Sequence, residues 1–450
     1  MWPRIACVLI FGYLSLSRAF AYVGIPAWKV FVGEVVLVFL LLLGPKIQGR
    51  RWLWVALKLP ALRGLLTWYG LFVAYGIIQV LRGILQGNPP LVTARDLAFN
   101  YYPIYFFLGL WAGLTRPDLL PRLIRSFAWF NGIYGMLFIL FLSRVEWYVP
   151  GVSAETASVP VFGQPIYSFV ALLGLLAYEQ RLSRSWYLLG LNGCVMLGMQ
   201  FRSEWLAFAI GLVTWGVLTR QGKRLLQAGA VLASLLALMY VTDLHLPSPQ
   251  GRSEYDISAR QIIDRAMAPF RADVADEKAA AGSTAVDSQE ATFVFRTVWW
   301  LAIWDSAHSS VQTAVWGHGY GFALADLVPY LEGEAIRTPH NAFFYALGYT
   351  GWIGVVTFAL FQIAIFRLLW KAYRIGGNPF GIIYWVSMLT FGMAFPLVET
   401  PYGAIPFYLV IGWCASPALL TQESSERARS QYPSARFGDI YPSGATAAAS

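Results

Sequence analysis

The sequence predicts an all-α, polytopic bundle of membrane helices, and three observations carry that prediction. Hydrophobic residues make up 57% of the 450-residue chain and charged residues only 13%, about half the charged share of a soluble globular domain. With a mean hydropathy of +0.54, the chain has too little polar surface to cover itself in water. Apolar windows of roughly 20 residues, the length that crosses a bilayer, recur about twelve times. Basic residues fall in short connections at alternate ends of those windows, as cytoplasmic loops require.

In chain order the spans are expected near 5–22, 28–44, 64–85, 96–114, 124–143, 165–178, 186–200, 204–218, 226–242, 341–366, 380–397 and 404–421. Several are rich in aromatic residues and glycine, which suits helices packed inside a bundle. The connections "KIQGRRWLWVALK" (46–58), "TRPDLLPRLIR" (115–125), "YEQRLSR" (178–184), "TRQGKR" (219–224) and "RLLWKAYR" (367–374) are all basic. They share one side, the cytoplasm, which makes both termini cytoplasmic and turns 86–95, 144–164, 201–203 and 243–340 outward. The net charge of +9 is thus topological and gives no reason to expect nucleic acid. "AFA" (19–21) has the look of a signal-peptide cleavage site, but "SLSR" (15–18) interrupts the apolar core before it. Residues 1–22 are therefore expected to stay as the first span.

Residues 1–242 hold nine of the expected spans, 243–340 one long outward loop, and 341–421 the last three; 422–450 form a polar cytoplasmic tail expected to be disordered. A loop of roughly one hundred residues usually carries function or disorder. "EYDISARQIIDRAMAPF" (254–270) spaces its apolar residues as an amphipathic interfacial helix would, with Arg260, Arg265 and Arg271 beside the stripe. "ADEKAAAGSTAVDSQEAT" (275–292) is small, polar and aperiodic, so it is expected to be flexible. "FRTVWWLAIWDSA" (295–307) reads as a second interfacial helix. The three cysteines, at unrelated spacings inside apolar segments, indicate neither a disulfide framework nor a metal site.

All four histidines, at 245, 308, 318 and 340, fall in the outward section. Polar residues gather wherever water is, so the clustering alone decides nothing. His340 has a more particular setting. Thr338-Pro339 has the pattern of an N-cap followed by proline at the first helical position, which would put His340 in the first turn of the following span. The helix dipole and Arg337 would both disfavour imidazolium there, leaving a neutral ring able to accept a proton. "WGHGYGF" (316–322) offers three glycines and His318; such clusters mostly mark turns, and a phosphate cradle is the sharper alternative.

"MQFRSEWLAF" (199–208) leaves almost no loop between two spans, so Arg202 and Glu204 lie at the outer boundary. Charge there is costly unless paired or functional. Arg202 either pairs with Glu204 or snorkels to the interface, or it grips phosphate oxygens with its planar fork; Arg296 is the candidate for a second arm. Arg18 and Glu34, in the outer thirds of the first two spans, are expected to pair with one another, and Arg95-Asp96 has a similar character.

The ordered set "FRSEWLAF", "RTVWWLAIW", "WGHGYGF" and "HNAFFYALGYTGWIG", with a basic residue between two short spans and a His-Asn helix start after a long outward loop, resembles the O-antigen ligase/polymerase superfamily. The resemblance covers the second half of the chain by motif and the first half by topology. It implies transfer of a glycan from an undecaprenyl-pyrophosphate carrier to an acceptor hydroxyl, on lipid A core or on another lipid-linked glycan. The expected place is the periplasmic face of the bacterial inner membrane, with no metal and no cofactor. It assigns catalytic roles to His340, Arg202 and Arg296. Arg337, Asn341, His318, Arg265 and Arg260 are expected to contact substrate. Phe201 stands where many relatives carry Ser, and the 275–292 insert is a further departure. A transporter for an anionic solute is the rival from another class. It would bind near the midplane between matched halves, whereas the polar candidates here crowd at the outer face. A purely structural scaffold leaves Arg202 and the His-Asn pair without a role.

Overall fold

The computed structural model describes residues 2–25, 30–48, 60–149, 159–179, 185–245, 258–260, 262–263, 289–328 and 338–419. They form a helical bundle whose only strands are the two-residue pair β1 (Gly24–Ile25) and β2 (Val30–Phe31). The helices are α1 (Trp2–Ala21), α2 (Val32–Gln48), α3 (Pro60–Leu85), α4 (Pro90–Asp96), α5 (Ala98–Tyr101), α6 (Tyr105–Thr115), α7 (Leu119–Leu140), α8 (Ser168–Tyr178) and α9 (Trp186–Met199). They continue with α10 (Arg202–Thr219), α11 (Gly222–Val241), α12 (Gln289–Ala307), α13 (Val311–Trp316), α14 (Ala342–Gly376), α15 (Phe380–Phe391) and α16 (Pro401–Ala415). Helix coincides with each of the twelve apolar stretches. Among the described residues five segments are long and apolar enough to cross a membrane: Trp2–Ala21, Leu62–Leu85, Leu119–Leu140, Ala342–Gly376 and Pro401–Leu419. The chain has the build of a multi-pass membrane protein.

Apolar residues all round a helix do not tell it which neighbour to choose in lipid; close approach and buried polar bonds do. Helix α16 runs against α6 and α1 at the centre of the bundle. A Cβ on Gly109 would strike the Leu409 carbonyl, and one on Gly412 that of Phe106. On the other side, Asn131 of α7 donates to Asn192 Oδ1 of α9 (2.9 Å) and to Ser168 Oγ of α8 (3.1 Å), all three buried. Such bonds fix rotation where apolar packing alone would let helices turn.

Two expected spans differ from the sequence reading. The stretch 96–114 is not one helix but α4, α5, a short 3-10 turn at Tyr102–Ile104 and α6, because Pro103 withholds an N–H from the ladder. The stretch 380–397 ends as a helix at Phe391, and residues 392–400 form a loop that leads into α16. In the long loop, α12 begins at Gln289, inside the segment expected to be flexible. Of the amphipathic helix expected at 254–270, the described residues Ala259, Arg260, Ile262 and Ile263 are helical, with Ala259 and Ile262 buried and Arg260 exposed. Its remainder, with Arg265 and Arg271, lies outside the described residues, as does the 422–450 tail.

The glycine turn after α13 has a structural purpose. Gly351 (φ 63, ψ −168) breaks α14 and frees carbonyls in the preceding turn. The backbone N–H groups of His318 and Gly319 donate to the carbonyls of Gly348 and Tyr349, each at 2.9 Å. Gly317 (φ 66) is pressed so closely on the break that a Cβ would lie 2.5 Å from Thr350 N. Gly321 N donates to the Asp96 carboxylate at 2.9 Å. These donors are therefore engaged within the protein, and the turn is not a phosphate cradle.

Candidate functional site

Helix α12, the start of α14 and the 392–400 loop meet at His340, with Arg202 of α10 and Arg18 of α1 as electrostatic neighbours. Helix α14 starts three residues later than the Thr338-Pro339 pattern predicts. Asn341 is the N-cap, its Oδ1 accepting from Phe343 N (2.9 Å) and Phe344 N (3.3 Å). Asn is at least as good a cap as Thr, and it wins because His340 takes a left-handed backbone (φ 53) that no first turn accommodates. The expectation that Thr338 caps the helix and His340 sits in its first turn is thereby corrected. His340 stands just before the helix, half-buried, on a strained residue of the kind that persists where its surroundings over-determine it.

Neighbouring groups supply that determination. Asn341 Nδ2 donates to Met393 O (2.9 Å), and Ala342 N donates to Gly392 O (3.1 Å). Trp300 of α12 donates from Nε1 to Pro339 O (2.7 Å) and stacks its ring on Phe344, centroids 5.5 Å apart. The imidazole Nδ1 lies 3.3 Å from Thr338 Oγ1, and Nε2 has no hydrogen-bond partner among the described residues.

Burial pushes the His340 imidazole down to about 3, helped by the positive charges of Arg296 and then Arg18. The ring is neutral at pH 7, as the sequence led us to expect, but for another reason. Desolvation and two distant arginines do what was ascribed to the helix dipole and to Arg337, which lies outside the described residues. Arg296, on α12, donates from Nη1 to Ala394 O (2.9 Å) in the returning loop. Burial lowers its pKa, and the neighbouring charge of Arg202 lowers it further. Arg202 is the first residue of α10 and half-buried; Glu204, its supposed partner, is fully buried and accepts from Phe169 N at 3.2 Å. Arg202, Arg296, Arg18 and His340, remote in sequence, thus form one chain of electrostatic neighbours.

Other expected residues fall elsewhere. His318 has Ser306 Oγ at 2.9 Å, the Phe322 ring stacked on it, and Arg82 as its charged neighbour. Burial first, then Arg82, lowers its pKa. The amide of Asn341, expected at the substrate, is occupied as cap and loop tie. Arg260 is exposed on its short helical piece, and Arg265 lies outside the described residues. The expected Arg18–Glu34 pair does not form: Glu34 Oε1 accepts from Tyr102 OH at 2.9 Å. Among the described residues no three His, Cys, Asp or Glu side chains gather as metal ligands would.

Sequence reasoning missed Trp300 and the returning loop with its buried Glu399, and it gave Arg18 the wrong neighbour. Arg18 announces itself by its charge, since a cation near a span's outer end without an adjacent acid asks for a partner. Glu399 gives no such signal, because a "PLVET" turn looks like any solvated connection.

A bundle of apolar helices long enough to cross a membrane, with arginines and a neutral histidine as electrostatic neighbours, defines a multi-pass membrane protein with a candidate site at His340. The family described as O-antigen ligase (Wzy_C) matches residues 187–359, from the start of α9 to the middle of α14, and so takes in Arg202, Arg296 and His340. That match supports kinship with the O-antigen ligase/polymerase superfamily of glycosyltransferases over the matched residues. No curated protein matches the chain.

Proposed function

We propose that this protein is a twelve-span, O-antigen-ligase-like enzyme of the bacterial inner membrane. It moves a glycan from undecaprenyl pyrophosphate to a hydroxyl of lipid A core at the periplasmic face. Residues 243–340 are its periplasmic loop, between nine spans (1–242) and three (341–421), and 422–450 its cytoplasmic tail. The observation that carries this reading is that one loop, 392–394, binds both Arg296 and the backbone beside His340, with Arg202 an electrostatic neighbour of Arg296. In the reaction the bond from the anomeric carbon to the carrier phosphate breaks and a bond to the acceptor oxygen forms. The acceptor proton passes to His340 Nε2, and the diphosphate leaves with the electron pair. Fixed guanidinium groups stabilise that leaving charge, so the step asks for no metal ion or cofactor.

The depressed basicity of His340 fits this order of events. An imidazole at about 3 is a weak base while the site is empty. A bound diphosphate offsets the positive charge of the arginines and raises the ring's affinity for a proton as the donor arrives. The transporter rival draws some support from the breaks in α1 and α14, since transporters use broken helices. The carbonyls freed at Gly351, however, are taken by His318 and Gly319 N–H groups, which leaves no coordinating site at that break.

The test is turnover of undecaprenyl-pyrophosphate glycan in nanodiscs with chelator present. Arg202→Lys should be impaired and Arg202→Ala more so, with the lesion in donor use, because Lys keeps charge but loses the two-oxygen fork. Normal donor turnover by Arg202→Ala, or chelator-abolished activity restored by a divalent ion, would refute the reading. Transfer to a lipid-linked glycan in preference to lipid A core would make the enzyme a polymerase instead.

A further inference from the structure

Helix α12 carries Trp300, Trp304 and His308 at intervals of four residues, which puts all three on one face of the helix. The stripe starts at the site. Trp300 is half-buried and donates from Nε1 to the carbonyl of Pro339, the residue before His340. From there each ring touches the next. Trp300 stacks on Phe344 at 5.5 Å between centroids, Phe344 meets Phe343 edge-on at 5.2 Å, and Phe343 meets Trp352 edge-on at 6.0 Å. Trp352 then meets Trp304 at 6.2 Å, and Trp304 lies 4.3 Å from the His308 ring. At its far end the track opens to the surface: Trp304 is 40% exposed, Trp352 37%, and His308 is exposed. The eight residues from Trp300 to His308 cover about 12 Å along α12.

Tryptophans at a membrane boundary anchor a protein by keeping the ring in the apolar layer and the N–H toward the headgroups. Two of these do the opposite. Trp352 donates from Nε1 to His308 Nε2 at 3.3 Å, and Trp300 directs its own N–H to Pro339 O. His308 closes the set, with Nδ1 2.7 Å from Trp304 O. Because Nε2 accepts from an indole that only donates, the proton of the neutral imidazole is on Nδ1, where it bonds that carbonyl. The N–H edges of Trp300 and Trp352 are thus turned onto the protein, and the exposed ring faces are left to an outside partner. Trp304 and Trp352 stand at 86° to one another, two walls of a corner, and the sequence neighbours Asp305 and Ser309 are exposed and polar. A lipid tail has no use for such a rim. A sugar has hydroxyls for the rim and a C–H face for the rings, whose faces are the negative part of the aromatic quadrupole.

We propose that this aromatic track is the subsite for the acceptor glycan, whose sugar rings stack on Trp304 and Trp352 and are led past Phe343 and Phe344 to His340. The order of residues along α12 supports that assignment. Arg296 precedes Trp300 by four residues, so the face that ends in exposed rings begins with the cation that ties to Ala394 O. Trp300, bonded beside His340, lies between them. Donor diphosphate at one end and acceptor sugars at the other would therefore meet at the histidine. The inference rests on the glycan-transfer reading above and supplies what that reading leaves open, the residues that hold the acceptor.

Two measurements on the full-length protein in nanodiscs test it: binding of the core oligosaccharide freed from lipid A, followed by saturation-transfer NMR, and the donor and acceptor KM in turnover. Trp304→Leu and Trp352→Leu keep apolar bulk and lose the ring face. Each should bind the oligosaccharide about tenfold more weakly and raise acceptor KM by a similar factor, the effect of losing one stacking contact. Donor KM should not move, and Trp304→Phe, which keeps a ring, should stay close to wild type. No oligosaccharide binding by wild type, or wild-type binding in both leucine variants, would overturn the proposal. So would leucine and phenylalanine variants that fail alike with lowered melting temperatures, which would make the rings mere packing. A defect confined to the acylated acceptor would also overturn it, by making the rings a lipid contact. If wild type binds the oligosaccharide and the leucine variants do not, yet no glycan is transferred, the track stands and the proposed reaction fails.

Discussion

Glu399→Gln should stabilise this protein, by an amount that grows with pH. Glu399 is buried in the loop that carries the site, and neither carboxyl oxygen has a hydrogen-bond partner among the described residues. Burial pushes it from 4.5 up to about 8. Its raised pKa means that the folded protein holds the proton more tightly than the unfolded chain. The penalty relative to a neutral side chain is absent below pH 4.5, grows between pH 4.5 and 8, and levels off above. At 1.36 kcal/mol per pH unit it reaches about 3 kcal/mol at pH 7 and about 5 kcal/mol at pH 8. Glutamine has nearly the same shape without the charge, so thermal unfolding in detergent from pH 5 to 9 should show wild type losing stability while Glu399→Gln stays level. The same loop supplies the carbonyls of Gly392, Met393 and Ala394 that hold Ala342, Asn341 and Arg296. Wild-type transfer should therefore fade above pH 8 sooner than that of the variant. A pH-independent difference, or a variant less stable than wild type at pH 8, would show that the carboxylate is ionised and partnered, and the reasoning would be wrong.

His340→Ala should fold normally and lose about 10²- to 10⁴-fold in transfer, the usual effect of removing a general base; near-normal transfer would exclude that role. In wild type, kcat/KM for donor should show no acid limb near pH 6.5, because the free-enzyme imidazole stays neutral down to about 3. Arg296→Gln should bring such a limb upward, and an unshifted profile would remove arginine as a cause. Asn341→Ala should destabilise by about 1–2 kcal/mol through loss of the cap, and it should lower turnover by releasing the backbone at His340; unchanged melting would count against the cap. With the native cysteines replaced, Gln48→Cys, Gly222→Cys and Lys371→Cys should label only from the cytoplasm and Ala285→Cys only from outside, and the reverse for Ala285→Cys would overturn the topology.

The helices were legible because twenty apolar residues in a row have few alternatives. Breaks within them were less so. Pro103 announces one, yet Ser17 and Gly351 lie in ordinary helical surroundings, and each break is stabilised by groups far away in sequence. At Gly351 those groups are His318 and Gly319, so the glycine turn that suggested phosphate chemistry is explained by a helix more than two dozen residues later. The site was half legible. Arg202, Arg296 and His340 stand out because charge and histidine are rare in this chain, and the family resemblance then gave them roles. Arg18 was misassigned by proximity in sequence, since Glu34 is the nearest acid along the chain but is engaged elsewhere in the fold.

The cause assigned to His340 shows why a correct expectation can rest on the wrong physics. A helix dipole falls off within one turn, and His340 is outside that turn. If the dipole set its charge, moving the cap would change its protonation and removing distant arginines would not. Burial is the largest cause of the lowered pKa, and the charges of Arg296 on α12 and then Arg18 on α1 add to it. Basicity is then coupled to whatever occupies the arginines. On the proposed function, an anionic donor would raise it and departure of the diphosphate would lower it again, so a proton taken from the acceptor would be released when the leaving group goes. A histidine governed by its own helix would have no such coupling to the donor. The free-enzyme pH profile of Arg296→Gln separates the two cases.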